Sequence, residues 1–529
     1  MANTSRHFLR FATQLVGKTR IGALGLCMVC VPALAQNAPL RVRLNADIRS
    51  TDPGVNRDAN SDAVVFHLME GLVALKEDTS VAPMLASRVD VASDGLSYTF
   101  RLREGIKFHN GAPLTAEDVV WAFKRYMEPA TQWRCLSELD GRGASKVVDI
   151  AASDAKTVVF KLEKPSALFL TTLARPDCGG AGIYHRSSVG ADGKWKEPVG
   201  TGPYKLTEWK RGQFIDLARF DNYTARTDAA NGLAGAKKPL VEKIRFVVVP
   251  DSAAAKAALL TGTLDLIPDI NVSEMGDLIG KQDLKVATIT TASVSAILFQ
   301  TRDPLLKDVR VRRALALAID GPELVRGTTN ALGRRNNSAI PVTSAFHTAA
   351  HKVSLNTNLV EARRLLAEAG YTGQPIKMIT NARYRSMFDT AVIAQAQAAK
   401  VGIKIDIEVL DWATQLDRYA KGDYQAMAFS YSARLDPSLS YEMFTGPKDT
   451  QPRKVWDNPQ VQALLNESMA TTDIARRQAI FDELHARMLR DAPLIVLWNG
   501  VQIVAQNKRV TGFNGWAVEM PRLWNVAMQ

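Results

Sequence analysis

Few side chains in this 529-residue chain have types and spacing suited to chemistry, and most of those spacings fail on inspection. Ser153-Asp154-Ala155-Lys156 has the SxxK spacing of a serine acyl-transfer centre, but it falls in the turn of an expected hairpin, without SDN or KTG partners. A GxSxG nucleophile elbow is missing. His347 and His351, in FHTAAHK, have the HxxxH spacing that puts two imidazoles on one helix face. Thr348 stands where a zinc protease needs glutamate, and two rings fall short of the three or four ligands that zinc takes. The Pro, Ser, Thr and Asn content of 341–358 predicts a solvated loop there, where the pair would at most touch a chelate that brings its own ligands. GTGPYK lacks the spacing of a phosphate loop. The expectation is a protein that is not an enzyme and holds no cofactor and no metal.

The N-terminus predicts export. Arg6, Arg10, Lys18 and Arg20 precede an apolar run from Ile21 to Val31, and Ala33-Leu34-Ala35 supplies a small-x-small cleavage pattern, placing cleavage after Ala35. The run is shorter than the roughly 20 apolar residues a membrane span needs. Cys27 and Cys30 follow Leu26 and Val29, where a lipoprotein signal would need a small residue, so the reading is a periplasmic protein. Removing the four basic leader residues takes the formal charge from +12 to about +8, with both signs interspersed. Such a field fits capture of anionic solutes, and no basic run points to nucleic acid. Cys135 and Cys178 remain, and an oxidising compartment makes them a candidate disulfide.

These groups must be positioned by an α/β organisation of more than one domain. Hydrophobic periodicity predicts a strand at 40–45, a helix at 62–75 and strand pairs over 86–103, 146–162 (turning at Ser153-Asp154) and 205–220. Beyond 309 it predicts helices at 309–318, 359–369, 387–401, 413–421, 460–468 and 474–490, interrupted by strands at 376–379, 403–409, 425–430 and 494–498.

Within this pattern, 96–120 reads LSYTFRLREGIKFHNGAPLTAEDVV: a strand alternating Tyr98, Phe100 and Leu102 with polar residues, glycine-rich turns, then Thr115 as a helix N-cap. This segment resembles the signature of the family 5 solute-binding proteins, the extracytoplasmic receptors of peptide, nickel and opine ABC importers. VGTGPY at 199–204, FVVVPDSAAAKAALLTGTLDLI at 246–267, DVRVRRA at 308–314 and LLAEAGY at 365–371 resemble further family segments, in the family's order. The resemblance implies a periplasmic-binding-protein type II-like fold with two lobes, a hinge and an extra domain. Domain I would comprise 36–72, 198–300 and 498–529, domain II 73–197, and domain III, the second lobe, 301–497. It implies a monomer that encloses a small peptide or peptide-like solute between its lobes. The partner would be the transmembrane permease with its ATPase.

The resemblance also marks candidate ligand residues. Arg383, in NARYR at 381–385, matches an arginine that pairs with the peptide carboxylate in dipeptide receptors, and Tyr384 beside it would stack on or hydrogen-bond a ligand. SYSARLDP at 430–437 resembles a loop whose first aspartate holds the peptide ammonium, but Ala433 occupies that position and Arg434 follows it. Asp436 is the remaining carboxylate there. The departure favours an anionic or opine-like cargo over an ordinary free-amine peptide; a nickel chelate is the alternative, supported by His347 and His351. From the first lobe, Asn56, Arg57 and Asn60 lie in a strand-end loop facing the crevice, with Asn60 or Ser61 available to cap the helix. Trp412 opens a helix beside that crevice, and Trp498 lies near the expected hinge.

Overall fold

The computed structural model describes residues 38–55 and 58–529. The leader, its cleavage point after Ala35, Cys27, Cys30, Asn56 and Arg57 lie outside the described residues. Among those described, no helix is long and apolar enough to cross a membrane.

Two long antiparallel strands, Leu284–Phe299 and Leu494–Asn507, run through the core of an eleven-stranded sheet. Val, Ile and Thr dominate the first, as suits a pleated surface. Leu284–Thr290 pairs with Val501–Asn507 on one side of a register shift, and Val294–Leu298 pairs with Leu494–Asn499 on the other. A Cβ on Gly500 would lie 2.2 Å from Ser293 Oγ and 2.7 Å from Thr291 Oγ1, so a side chain at residue 500 would have to displace both hydroxyls where the strands meet. The expected strand 494–498 thus continues through Trp498, which is buried beside this crossing.

Each end of the strand pair seeds one half of the sheet. The near half adds Leu266–Ile267, then Leu40–Leu44 parallel to Lys243–Val248, then antiparallel Phe214–Arg219 and Tyr204–Lys210. The far half adds Ala426–Tyr431 and then the parallel strands Ile376–Asn381 and Ile405–Leu410. In the far half, Ile297, Met378 and Ala428 face one core, with helices Val309–Ala318, Leu359–Glu368 and Arg385–Ala399. Their neighbours Leu298, Ile379, Met427 and Phe429 face a second core, under helices Pro459–Ala470 and Ile474–Asp491. The period-two alternation buries both faces, which is why these strands read as continuous apolar runs.

A separate four-stranded antiparallel sheet orders Ala86–Val91, Ser97–Leu102, Thr157–Leu162 and Val147–Asp154. Tyr98, Phe100 and Leu102 are buried, and Phe123 of helix Ala116–Met127 meets Phe160 edge-on at 4.8 Å. Thr115 caps that helix in a capping box with Asp118. The hairpin turns at Ala155-Lys156, two residues after the expected position, because Asp154 accepts the Lys156 amide (2.8 Å) and closes the turn itself.

The helix expected at 62–75 is Ala59–Leu68, followed by strand Val73–Leu75. Its end is fixed from outside: Gly71 packs so closely that a Cβ would sit 2.1 Å from Gly180 O. His67 in its last turn is fully buried. Nδ1–H donates to Ala63 O (2.7 Å) while Nε2 accepts the Leu523 amide (3.1 Å), so the neutral ring ties the C-terminal segment to the helix. Burial drives its pKa down to about 3. Because the folded value lies below the unfolded one, the unfolded chain takes up the proton first. This contribution is complete above about pH 6.5 and is lost as pH falls toward 3. At pH 5 the loss amounts to about 2 kcal/mol. Urea titrations at pH 7 and 5 should show this loss, reduced in His67→Gln.

Candidate functional site

Between the two halves lies a cavity of about 610 Å³, and at Ala59 and Glu519 it meets a second of about 350 Å³ that is lined by near-half residues. The larger is walled on the near side by Ala59 and Asp62, by Arg134, Glu138 and Arg175–Asp177, and by Val518–Met520. On the far side stand Ser432–Leu435, Leu439 and Glu442. Another hollow of about 730 Å³ is lined by residues between Gln300 and Pro452, all on the far half, so movement of one half against the other would not close it.

Arg434 projects into the larger cavity. Its Nη1 donates to Ser432 Oγ (2.8 Å), Ser432 O (3.3 Å) and Ala433 O (3.2 Å), bonds within its own loop, and among the described residues it has no ion-pair partner. Burial lowers its pKa, while Asp177 and Glu442 oppose that shift. The other charges on this wall are largely spoken for. Asp177 binds Arg175 bidentately (2.9 and 2.7 Å) and stands 3.7 Å from Arg134; Glu442 takes Lys454. Ala433 and Leu435 pack against the near core, so this loop reaches across the cleft.

Asp436 is placed differently. Its carboxylate caps helix Pro437–Glu442 through the Ser438 amide (2.9 Å) and receives Arg477 Nη2 on both oxygens (2.7 and 2.8 Å), beneath the loop and outside both cavity linings. Arg477 and the helix cap account for its charge without a solute.

Arg383 and Tyr384 lie at the end of strand Ile376–Asn381, in a turn held by Asn381 Oδ1, which accepts the Tyr384 amide (2.8 Å). Arg383 lies over the Tyr384 ring (5.6 Å), Tyr384 meets Trp412 edge-on (4.9 Å), and Trp412 stacks on Phe429 (6.0 Å). Trp412 thus braces the Arg383 turn and packs against both far-half cores. These three residues are not brought into the cavity linings with Arg434. Asn60 lines the smaller cavity and donates to Asn45 Oδ1 (2.9 Å). The helix cap expected from Asn60 or Ser61 is Asp58, whose side chain accepts both their amides.

Cys135 and Cys178 are joined, with S–S 2.03 Å and Cα–Cα 5.4 Å. Their neighbours Arg134 and Asp177 both line the larger cavity, so the bridge staples the cleft wall. Among the described residues, Cys135, Asp177 and Cys178 are also the one group of metal-type ligands that converges, and the disulfide consumes its thiolates.

The loop around His347 and His351 is irregular, as expected, but His351 is not solvated. It is fully buried, its ring 5.2 Å from His485 and 5.7 Å from His347, with Nδ1 3.7 Å from Asp482. The helix Ile474–Asp491 covers it, and the cluster lies outside both cavities. Lys156 Nζ reaches Leu114 O and Glu104, while Ser153 Oγ lies 3.5 Å from Thr157 O, so the SxxK pair does not form a catalytic contact.

Sequence reasoning missed Glu519, which borders both cavities. Its only local signal is a turn before Pro521, which says nothing of a cleft.

The sequence pattern of the bacterial extracellular solute-binding proteins, family 5 Middle, matches residues 80–452. Heme-binding protein A of Haemophilus influenzae is 27% identical over 490 residues, covering 87% of this chain and 86% of its own. The glutathione-binding protein GsiB of Pectobacterium atrosepticum is 26% identical over 504 residues, covering 92% and 93%. The binding protein AgaA of A. tumefaciens R10, solved with agropinic acid, superposes with a TM-score of 0.68 at 26% identity, covering 93% of this chain and 99% of that one. The two halves are the lobes of a periplasmic-binding-protein fold with an additional domain. The chain belongs to the family 5 extracellular solute-binding proteins, the solute receptors of ABC importers.

Proposed function

We propose that this receptor captures a small, anionic, peptide-like solute in the cleft beside Arg434 and delivers it to a membrane permease driven by an ATPase. It works in the periplasm, as a monomer, after cleavage behind Ala35. Residues 36–72, 198–300 and 498–529 form domain I, 73–197 domain II and 301–497 domain III, and the lobes close on the solute by hinge movement about the crossing at Gly500. The observation that carries the solute class is the guanidinium of Arg434 in the cleft, which has no ion-pair partner among the described residues, combined with Ala433 where a carboxylate would hold an amine in that loop. Arg383, with Tyr384 and Trp412 behind it, offers a second guanidinium on the far lobe. Relatives named for glutathione, an acidic tripeptide, and for agropinic acid support the class.

The test is calorimetric binding of glutathione, acidic dipeptides and opines. Arg434→Ala should weaken the tightest of them about 10–100-fold, the value of one charge-assisted contact. Equal affinity for neutral dipeptides, or an unchanged Kd in the variant, would sink this reading.

A further inference from the structure

Among the described residues the cleft contains a second charge without a partner, and its sign is opposite. Glu519 sits where the two cavities meet. Among the described residues its carboxylate has no hydrogen bond and no ion pair. The side chain stays exposed, yet the walls around it desolvate the carboxyl enough to raise its pKa above the ordinary value. Its backbone is held at φ 61°, a left-handed conformation that costs a non-glycine residue about 1 kcal/mol. Glu519 N–H donates to Trp516 O (2.8 Å), and the buried Trp516 indole is anchored by Glu77 O (3.1 Å). An unpaired carboxylate is therefore carried on a braced, strained turn and aimed into a desolvating cleft.

We propose that Glu519 is the solute's cation-binding group: the cargo is zwitterionic, with an ammonium or guanidinium at the junction of the two cavities and a carboxylate at Arg434. The inference rests on the peptide-like reading above and refines its solute class. The far-lobe loop has lost its carboxylate at Ala433, and Glu519 supplies one from the opposite lobe. That transposition has a mechanical consequence. Arg434 belongs to the far lobe and Glu519 to the near one, so a zwitterion spanning both satisfies two otherwise unpaired charges only when the lobes are together. A solute with differential contacts of this kind shifts the population toward the closed state.

The test uses glutathione and alanyl-glutamate, each with a free and an N-acetylated amine, titrated into the wild type and Glu519→Gln. The amide keeps the shape of the side chain and removes its charge. The wild type should prefer free amines at least 10-fold, and Glu519→Gln should bring that preference close to unity while leaving N-acetyl affinities within about twofold. Equal binding of free and acetylated forms by the wild type would overturn the proposal. So would an amine preference that survives in Glu519→Gln, or an equal loss for both forms, which would mark a structural role. If none of the four compounds binds the wild type, the peptide-like reading itself fails and takes the proposal with it.

Discussion

Arg477→Met is expected to destabilise the far lobe by about 3–5 kcal/mol, because it strands a buried carboxylate. Arg477 projects from helix Ile474–Asp491, and only 6% of the residue is exposed. It meets both oxygens of Asp436, and its Nε donates to Ser468 O (3.0 Å). Phe346 and Phe481 flank the guanidinium at 5.1 and 5.3 Å, so methionine keeps most of the packing while the charge disappears. Asp436 then keeps the Ser438 amide but loses the cation that met both its oxygens. Asp436→Asn combined with Arg477→Met removes both charges and should recover much of the loss, the signature that separates a stranded charge from lost volume. The measurement is the urea midpoint of the far-lobe transition in the two variants. A single-variant loss under 1 kcal/mol would mean that Asp436 is solvated, although only 4% of the residue is exposed. Because Asp436 caps the helix directly after Ser432–Leu435, solute affinity should fall with stability.

This pair also shows where sequence reading stops. Asp436 before Pro437 is legible as a turn or cap, and the cap forms; Arg477 lies 41 residues away, and nothing local announces that it closes on that carboxylate. Period-two and helical patterns located most elements of the far lobe within two residues, since they depend on neighbours in sequence. Val309–Ala318 matches its expected span, and the helix expected at 474–490 runs Ile474–Asp491. The strand Leu284–Phe299 has no counterpart among the expected elements, although it carries the connection between the lobes. Its half-exposed first part and fully buried second part give no single period. The helix expected at 62–75 was cut short by a contact between Gly71 and Gly180, which no local pattern contains.

The candidate site divides along the same line. Arg434 was legible because a motif placed it beside Ala433, and it lines the cleft. Glu519 was not, because its significance arises only when the C-terminal segment folds back beside Ala59 from more than 450 residues away. Arg383, Tyr384 and Trp412 are neighbours, as local sequence allows, but their relation to the cleft depends on how the lobes meet. Local patterns therefore name the scaffold and one arginine. The opposite charge, and with it the solute's full description, comes from the tertiary fold.

Removing the Cys135–Cys178 bridge should cost about 4 kcal/mol, the chain-entropy value for a loop of this size. The bond closes a separation of 43 residues that includes the hairpin Val147–Asp154 and Thr157–Leu162, so the unfolded chain gains much freedom when it is cut. The double variant C135S/C178S should therefore unfold at lower urea than the wild type, and reductant should lower the wild type to the same midpoint while leaving the variant unmoved. A wild-type midpoint insensitive to reductant, with the bond demonstrably broken, would refute the expected stabilisation. The bridge also bears on binding. Arg134 follows Trp133, whose indole donates to Cys178 O (3.0 Å), and Asp177 precedes Cys178, so the wall pairing Asp177 with Arg175 and Arg134 hangs from both ends of the staple. Loosening it frees Asp177 to approach Arg434, the charge that the carboxylate of the solute is proposed to meet. Affinity for acidic solutes should then fall in C135S/C178S even under conditions where the variant is fully folded. Combined with Arg434→Ala the two losses should be less than additive, because both act on the same guanidinium.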